Sequence, residues 1–265
     1  AVATHATPWE GRVELTYAKK NAAIVYASIN VAHGEIWRST DGGKSYARRA
    51  NRTAAGRPAN YLSDQGWYAN TIWAGDPTDE NLVLVGGLDL WRSTDGGDTL
   101  RPISTWWDGG SVHADHHTIV AHGQYNGTTN RTVFFGNDGG IYRAANVSTV
   151  GNDTDEPFIS GWQELNNTYA VTQFYGAAGN AATGVIIGGA QDNGTLCFKP
   201  ATGSEAWTTI FGGDGGWSPN TAYPGVQPLG ELGAATIKHT YNVMGELRGS
   251  DSSDLLYHEA MLKKN

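Results

Sequence analysis

Cysteine, basic residues and long apolar runs are scarce in this chain of 265 residues, and each shortage excludes a class of protein. Cys197 is the only cysteine, so no disulfide framework holds the fold. The 18 Lys and Arg residues are outnumbered by 26 Asp and Glu residues, and the net charge of -8 leaves no basic patch for nucleic acid. Because no apolar run reaches the roughly 18 residues of a membrane-spanning helix, we expect no membrane span either.

Glycine and tryptophan are abundant instead, at 36 and 10 residues. Many glycines between aromatic-rich segments are typical of short strands joined by tight turns. A chain of this length can bury a large core as one all-β domain. The composition therefore favours an all-β fold.

One segment of the sequence occurs twice, as IWRSTDGGKSY at residues 36–46 and as LWRSTDGGDTL at residues 90–100. Each copy ends an apolar, strand-like run and contains the turn-forming string Asp-Gly-Gly. Self-similarity at this spacing is typical of a fold built from repeated units.

The strand pattern itself recurs four times along the chain. Each repeat of the pattern contains four short runs rich in apolar, β-branched or aromatic residues, separated by turn residues. An antiparallel unit of about 45 to 55 residues buries its faces only against its neighbours, as propeller blades do. We therefore predict an all-β fold, a β-propeller of four-stranded antiparallel blades, with four recognisable blades at residues 13–50, 70–104, 116–167 and 172–212.

The two ends of the chain depart from this pattern. Residues 1–10 read as an N-terminal extension, and the blades occupy residues 11–217. Residues 218–265 predict an irregular, Pro- and Gly-rich connection followed by a short C-terminal helix. Two alternatives stay open for ring closure: residues 218–250 form a fifth, irregular blade, or the open sheet edges pair with another copy or with a missing part of a longer chain.

Asn-x-Ser/Thr sequons occur seven times, where about three are expected by chance. Such sites accept N-linked glycans, so the excess predicts a secreted, extracellular chain. The alternative is that Asn and Thr are simply frequent in the turns of an all-β protein. The small residues that open the sequence are typical of a mature protein whose signal peptide has been removed. The candidate glycosylation sites are Asn51, Asn126, Asn130, Asn146, Asn152, Asn166 and Asn193.

The repeated segments resemble the Asp-box, or bacterial neuraminidase repeat, of a family of propeller proteins. Its pattern is Ser-x-Asp-x-Gly-x-Thr-Trp, and here Tyr46 and Leu100 replace the final Trp. In that family the box lies in the turn between the third and fourth strands of a blade, away from the ligand. A short Asp side chain there accepts hydrogen bonds from its own turn. The resemblance implies a structural role for Ser39, Asp41, Gly43, Ser93, Asp95 and Gly97.

Four further sequence segments resemble segments of the sortilin and xyloglucanase-like branch of this family. They are VHADHH at 112–117, GNDGGIYR at 136–143, GGAQDNGT at 188–195 and GGDGGW at 212–217. The second and fourth are similar to the segments that carry the base and the acid of the xyloglucanases. The resemblance therefore implies Asp138 and Asp214 as a catalytic pair, in which one acid protonates the leaving oxygen and one carboxylate activates water.

Ligands of propellers bind on the face opposite the box turns, where the loops between second and third strands meet the segments that lead into each blade. In this chain the rule brings together carboxylates, imidazoles and aromatic rings, a set suited to a polar, ring-shaped ligand such as a sugar. The candidate ligand-binding residues are Asp64, Trp67, Tyr68, His113, Asp115, His116, His117, Gln191, Asp192 and Trp217.

Some of these residues also suit purely structural roles. Asp138 and Asp214 each precede a Gly-Gly pair, and an Asp before Gly is a common turn former. Trp106 and Trp107 are expected to pack between blades, with one ring facing outward as the alternative.

A metal site is a further alternative for part of this face. His113, Asp115, His116 and His117 have side chains of the types that bind metals. His116 and His117 are neighbours in a predicted strand, however, so their side chains point to opposite faces unless a bulge intervenes. The metal content therefore stays unknown: no cofactor is predicted, and Ca²⁺ or another ion is left as an alternative.

We expect a secreted propeller that binds carbohydrate or serves as a recognition or structural module, with homo-oligomer formation through open sheet edges as one form of the latter. The alternative is a glycoside hydrolase that acts on a β-glucan-type polysaccharide through Asp138 and Asp214. Binding is preferred because the family places its two acids on separate propellers and this chain has blades for one. Sialidase activity is not expected, because no Arg-Ile-Pro segment occurs and the repeated arginines lie in strands that lead into the boxes; these are Arg38, Arg92 and Arg143.

Overall fold

The computed structural model describes residues 11–167, 172–179, 183–203 and 207–211, and these residues form four antiparallel four-stranded sheets. The strands of every sheet are ordered as they follow in the chain. The predicted all-β fold of four-stranded blades is confirmed. The N-terminal extension, Asp214, Trp217 and the predicted C-terminal helix lie outside the described residues.

The strand bounds follow the predicted blades closely. The first sheet comprises β1 (Val13–Tyr17), β2 (Val25–Ile29), β3 (Glu35–Ser39) and β4 (Ala47–Arg48). The second comprises β5 (Thr71–Trp73), β6 (Val83–Gly86), β7 (Leu90–Ser93) and β8 (Arg101–Pro102). The third comprises β9 (His116–Ala121), β10 (Val133–Asn137), β11 (Gly140–Ala144) and β12 (Trp162–Glu164). The fourth comprises β13 (Phe174–Gly179), β14 (Ile186–Ala190), β15 (Gly194–Phe198) and β16 (Trp207–Phe211).

The chain divides into two compact units, residues 1–171 with the first three sheets and residues 172–265 with the fourth. In the second unit, Cys197 is fully buried beside Ile187, and the rings of Phe174 and Phe198 contact Trp207. Each unit therefore has apolar contacts of its own.

In the first unit, successive sheets pack through their first strands, because β5 contacts both β1 and β9. One apolar cluster joins residues of the first and second sheets, including Tyr26, Ile36 and Val83. Another joins the second and third sheets, including Leu84 and Phe135. Burial of each sheet against the next is the packing of propeller blades.

Arg92 fastens the second sheet to a segment of the third. Its buried guanidinium donates hydrogen bonds to the carbonyl oxygens of Val147 and Val150, both at 2.9 Å. Burial, with the nearby charge of Arg101, lowers the pKa of Arg92 to about 10. This arginine therefore serves packing between blades and is not available to a ligand.

The Asp-Gly-Gly turns join the third and fourth strands of the first two sheets. Asp95 accepts hydrogen bonds from the Ser93 hydroxyl at 2.8 Å and from the amides of Asp98 and Thr99 at 3.1 and 2.8 Å. Although burial alone raises the pKa of Asp95, the hydrogen bonds from Thr99 and Ser93 lower it overall. Gly96 and Gly97 adopt positive φ angles of 73° and 94°, which residues with a Cβ rarely adopt.

Asp41 forms the same turn in the first sheet. It accepts hydrogen bonds from the Ser39 hydroxyl at 2.7 Å and from the amides of Lys44 and Ser45 at 3.0 and 2.9 Å. Hydrogen bonding by the Ser45 hydroxyl, then by that of Ser39, lowers the pKa of Asp41. Both carboxylates are thus used within their own turns.

We expect Asp95→Ala to lower the free energy of unfolding by about 1 to 3 kcal/mol, because it leaves two turn amides without their acceptor. Urea unfolding at neutral pH measures the change, and Asp155→Ala, which alters an exposed carboxylate, is the matched control. Equal stabilities for the two variants would contradict the structural role of Asp95.

Candidate functional site

The face opposite the Asp turns is built from two kinds of segment. In the first sheet Val13 pairs with Ile29, so the chain enters β1 at the end where β2 leaves. The pairs Thr71 with Gly86 and His116 with Asn137 repeat this arrangement in the next two sheets. The loops between second and third strands therefore lie beside the lead-in segments 49–70 and 103–115, which enter β5 and β9.

Asp138 is the centre of a hydrogen-bonded group on this face. The Tyr68 hydroxyl donates to Asp138 Oδ2 at 2.8 Å, and His117 Nε2 lies 2.8 Å from Asp138 Oδ1. The ring of Tyr68 meets that of His117 edge-on at 4.9 Å. Three residues predicted from separate segments are thus brought together, and we call them the Asp138 triad.

The lead-in segment that carries Tyr68 is held by buried polar contacts. The hydroxyls of Tyr61 and Ser28 are 2.8 Å apart, and Ser28 donates to Asn70 Oδ1 at 2.6 Å. Arg12 donates to the carbonyl oxygen of Tyr68. These bonds attach the segment to the first sheet on both sides of Trp67 and Tyr68, so the two rings are presented by a fixed backbone.

A β-bulge separates the two neighbouring histidines of β9. Asn137 pairs with His116 and Gly136 pairs with Thr118, so His117 is an extra residue in its strand. His117 is half-buried and faces Asp138, whereas His116 is fully buried. The bulge thus directs one imidazole to the face and the other to the interior.

The burial of His116 corrects its prediction as a ligand-binding residue. Neither of its ring nitrogens has a hydrogen-bond partner among the described residues. Burial, with the neighbouring His113 and His117, lowers the pKa of His116 from 6.5 to about 3. The ring is therefore neutral and packs in the interior.

The loop that carries Asp138 is fixed from both sides. Asn137 donates through Nδ2 to the carbonyl oxygen of His113 at 2.8 Å, and its Oδ1 accepts from the Gly139 amide at 3.0 Å. Asn166 donates to the carbonyl oxygen of Gly139 at 2.8 Å and accepts from the Ile141 amide at 2.9 Å. A Cβ at Gly139 would lie 2.3 Å from His113, so only glycine fits here.

Asp115 adds a second carboxylate beside the triad. Its backbone has a φ of 61°, which is rare for a residue other than glycine, and one of its carboxylate oxygens lies within 4.8 Å of one of Asp138. Carboxylate oxygens are the ligands that Ca²⁺ prefers, but two of them do not by themselves make a metal site. The carboxylates of Asp115 and Asp138 give this part of the face a negative charge.

Three tryptophan rings are exposed on this face. Trp67 is 67% exposed and its ring lies 5.5 Å from that of Tyr68. Trp106 and Trp107, in the lead-in segment of β9, are 56% and 55% exposed. The prediction that these two pack between blades is wrong, because both rings, not one, face outward.

Asp89 is a candidate residue that sequence reasoning missed. It lies between β6 and β7, the position that Asp138 occupies between β10 and β11. Burial, and then the charges of Glu156 and Asp115, raise the pKa of Asp89 to about 6 although the Ser104 hydroxyl donates to it. The run Leu88-Asp89-Leu90 resembles a strand, and only alignment of the blades would have shown that Asp89 lies in a loop.

The remaining predicted residues belong to other segments of the chain. Asp64 pairs with His33 at 3.0 Å, and both side chains are exposed. Gln191 and Asp192 belong to the loop between β14 and β15 in the second unit, where Asp192 has a positive φ of 56°. Because Asp214 lies outside the described residues, its pairing with Asp138 stays a prediction.

The sequon asparagines differ in their accessibility. Asn126 and Asn152 are exposed. Asn51 is buried, and its Nδ2 donates to the carbonyl oxygens of Gly34 and Ala59 at 2.7 and 3.3 Å. Asn166 uses its amide group in the loop of Asp138. The half-buried sequon residues are Asn130, Asn146 and Asn193.

The fold and this face define a propeller-type scaffold that presents loops at one end of its blades. A scan against protein-family models finds no match, and a search of curated proteins finds none either. None of the helices in the described residues is long and apolar enough to cross a membrane.

Solved structures that are similar to the chain include hydrolases and proteins of another kind. A GH74 enzyme of Niastella koreensis has 19% identity, with 81% of this chain and 30% of that chain covered and a TM-score of 0.38. The GH74 xyloglucanase of Xanthomonas campestris has 15% identity, coverages of 76% and 32%, and a TM-score of 0.37. YCF48 of Cyanidioschyzon merolae has 16% identity, coverages of 81% and 62%, and a TM-score of 0.37. The chain thus spans about a third of the two hydrolases, and values this low carry no inference about function.

We expect Asp89→Asn to increase the free energy of unfolding by about 2 kcal/mol at about pH 7.5, because a carboxylate whose folded-state pKa is raised destabilises the fold once it ionises. The gain should fade as the pH falls from about 6, the pKa in the folded state, to the ordinary Asp pKa of about 3.9, and it should vanish at lower pH, where both states are protonated. Urea unfolding across this pH range measures the difference, and the exposed Asp155→Asn is the control. A gain that is constant with pH would show that the charge of Asp89 is not its cause.

Proposed function

We propose that the chain is an extracellular propeller-type module that binds neutral carbohydrate at the face of the Asp138 triad. One observation carries the proposal: the exposed Trp67 ring lies beside Tyr68, whose hydroxyl is bonded to Asp138. Sugars stack their C–H faces on aromatic rings and bond their hydroxyls to carboxylates and imidazoles. Trp67 offers the first kind of contact and the triad offers the second.

The charge of the face supports a neutral ligand. Asp64, Asp89, Asp115 and Asp138 all lie in loops on this side of the first three sheets. Anionic sugars would be repelled by these carboxylates. Arg92, one of the three repeated arginines, donates its hydrogen bonds to backbone carbonyls.

Glycoside hydrolysis is the second candidate, and the proximity of Asp115 to Asp138 favours it. Retaining glycosidases hold two carboxyl groups about 5 to 5.5 Å apart, and these two have oxygens within 4.8 Å. Binding is preferred because both oxygens of Asp138 already accept hydrogen bonds, from Tyr68 and His117. New reducing ends released from a β-glucan panel would favour the hydrolase over the binding module.

We expect Trp67→Ala to weaken binding to neutral oligosaccharides about tenfold, the equivalent of about 1.4 kcal/mol for the loss of one stacking ring. Calorimetric titration with soluble β-glucan oligosaccharides measures the affinity. Tyr17→Ala is the matched control, because Tyr17 is 62% exposed but lies at the other end of β1. Binding that is equally strong in both variants, or absent from the unmodified chain across a panel of neutral glycans, would contradict the proposal.

A further inference from the structure

We propose that His117 is the hydrogen-bond acceptor for a ligand hydroxyl and that Asp138 is a positioning residue that acts through it. The identity of the ligand rests on the proposed carbohydrate binding, whereas the positioning of the ring does not.

The contact between the two side chains determines where the imidazole proton lies. His117 Nε2 is 2.8 Å from Asp138 Oδ1. A carboxylate has no proton to donate, so Nε2 must carry the hydrogen of this bond. In the neutral ring the lone pair is then on Nδ1, which makes Nδ1 an acceptor.

Nδ1 is also accessible. No hydrogen bond reaches it from the residues that the structure describes, and it does not belong to their buried atoms that lack a partner. The side chain of His117 is 35% exposed. A ligand can therefore reach this nitrogen without displacing a hydrogen-bonding partner that belongs to the described part of the chain.

The ring is held in this orientation from three directions. The bulge at His117 turns its side chain toward the loop of β10 and β11. Tyr68 packs edge-on against the ring, and its hydroxyl occupies the second oxygen of Asp138. Asn137 bonds the backbone of that loop to His113. Such support fixes the acceptor before the ligand arrives, which limits the entropy lost on binding.

The polarity of this group limits the class of ligand. An acceptor on the ring matches a ligand that donates, as the hydroxyl of a neutral sugar does. The carboxylates of Asp115 and Asp138 lie beside the ring and disfavour ligands that carry only acceptors, such as carboxylated or sulfated glycans. The imidazole therefore contributes selectivity for polyhydroxylated, uncharged ligands.

The tautomer can be measured without any ligand. Long-range ¹H–¹⁵N correlation spectra recorded at about pH 8, where an ordinary histidine is neutral, distinguish a protonated Nε2 from a protonated Nδ1. We expect protonated Nε2 in the unmodified chain. In Asp138→Asn the amide oxygen accepts from Tyr68 and the amide nitrogen donates to Nε2, so the proton should move to Nδ1. A protonated Nδ1 in the unmodified chain would overturn the proposal even if the variant does not fold.

The ligand is tested by affinity for soluble β-glucan oligosaccharides. His117→Gln keeps a donor near the position of Nε2 but has no acceptor at the position of Nδ1, because the amide oxygen is attached one carbon further along the side chain. We expect a loss of affinity of about tenfold or more. His122→Gln is the control, since His122 lies at the other end of β9. Unchanged affinity of His117→Gln would overturn the role of His117 and leave the carbohydrate-binding proposal intact. An unmodified chain that binds no neutral glycan would overturn both, while the spectra still decide the positioning role of Asp138.

Discussion

Each four-stranded sheet in the first unit can bury its faces only against the next sheet, and this constraint determines where the polar groups lie. The apolar clusters around Tyr26 and Phe135 occupy the contacts between sheets. The turns of the chain therefore lie at the two ends of the strands, and the Asp-Gly-Gly turns and the Asp138 triad lie there too. At one end lie the turns between the third and fourth strands. At the other end the loops between second and third strands lie beside the segments that lead into the next blade.

The two ends have separate uses. The carboxylates of Asp41 and Asp95 accept every hydrogen bond that the structure describes for them from their own turns, so the repeated motif stabilises the blades. At the opposite end, Tyr68 and His117 come from different segments, and both are hydrogen-bonded to Asp138 of a third segment. The Asp138 triad therefore depends on the packing of the blades. Its geometry is set by residues that do not contact the ligand.

Sequence reasoning predicted the sheets and the Asp turns well, because alternation of apolar residues and the string Asp-Gly-Gly are local signals. It also brought Tyr68, His117 and Asp138 to one face through the regular order of strands. Alternation predicted that His116 and His117 point in opposite directions, but it did not show which of the two would be buried, and both were named as ligand-binding residues. It missed Asp89 because the flanking leucines resemble a strand, and it misjudged Trp106 and Trp107 because exposure of an aromatic ring is decided by tertiary packing.

Hydrogen–deuterium exchange with and without a saturating neutral oligosaccharide is the most direct measurement of which end of the blades the ligand covers. Binding at the face of the Asp138 triad predicts slower exchange in peptides that contain residues 63–68, 113–117 and 137–140, and unchanged exchange in the turns at 39–45 and 93–99. Protection of those turns instead, or no protection in either region while the oligosaccharide is bound, would contradict it.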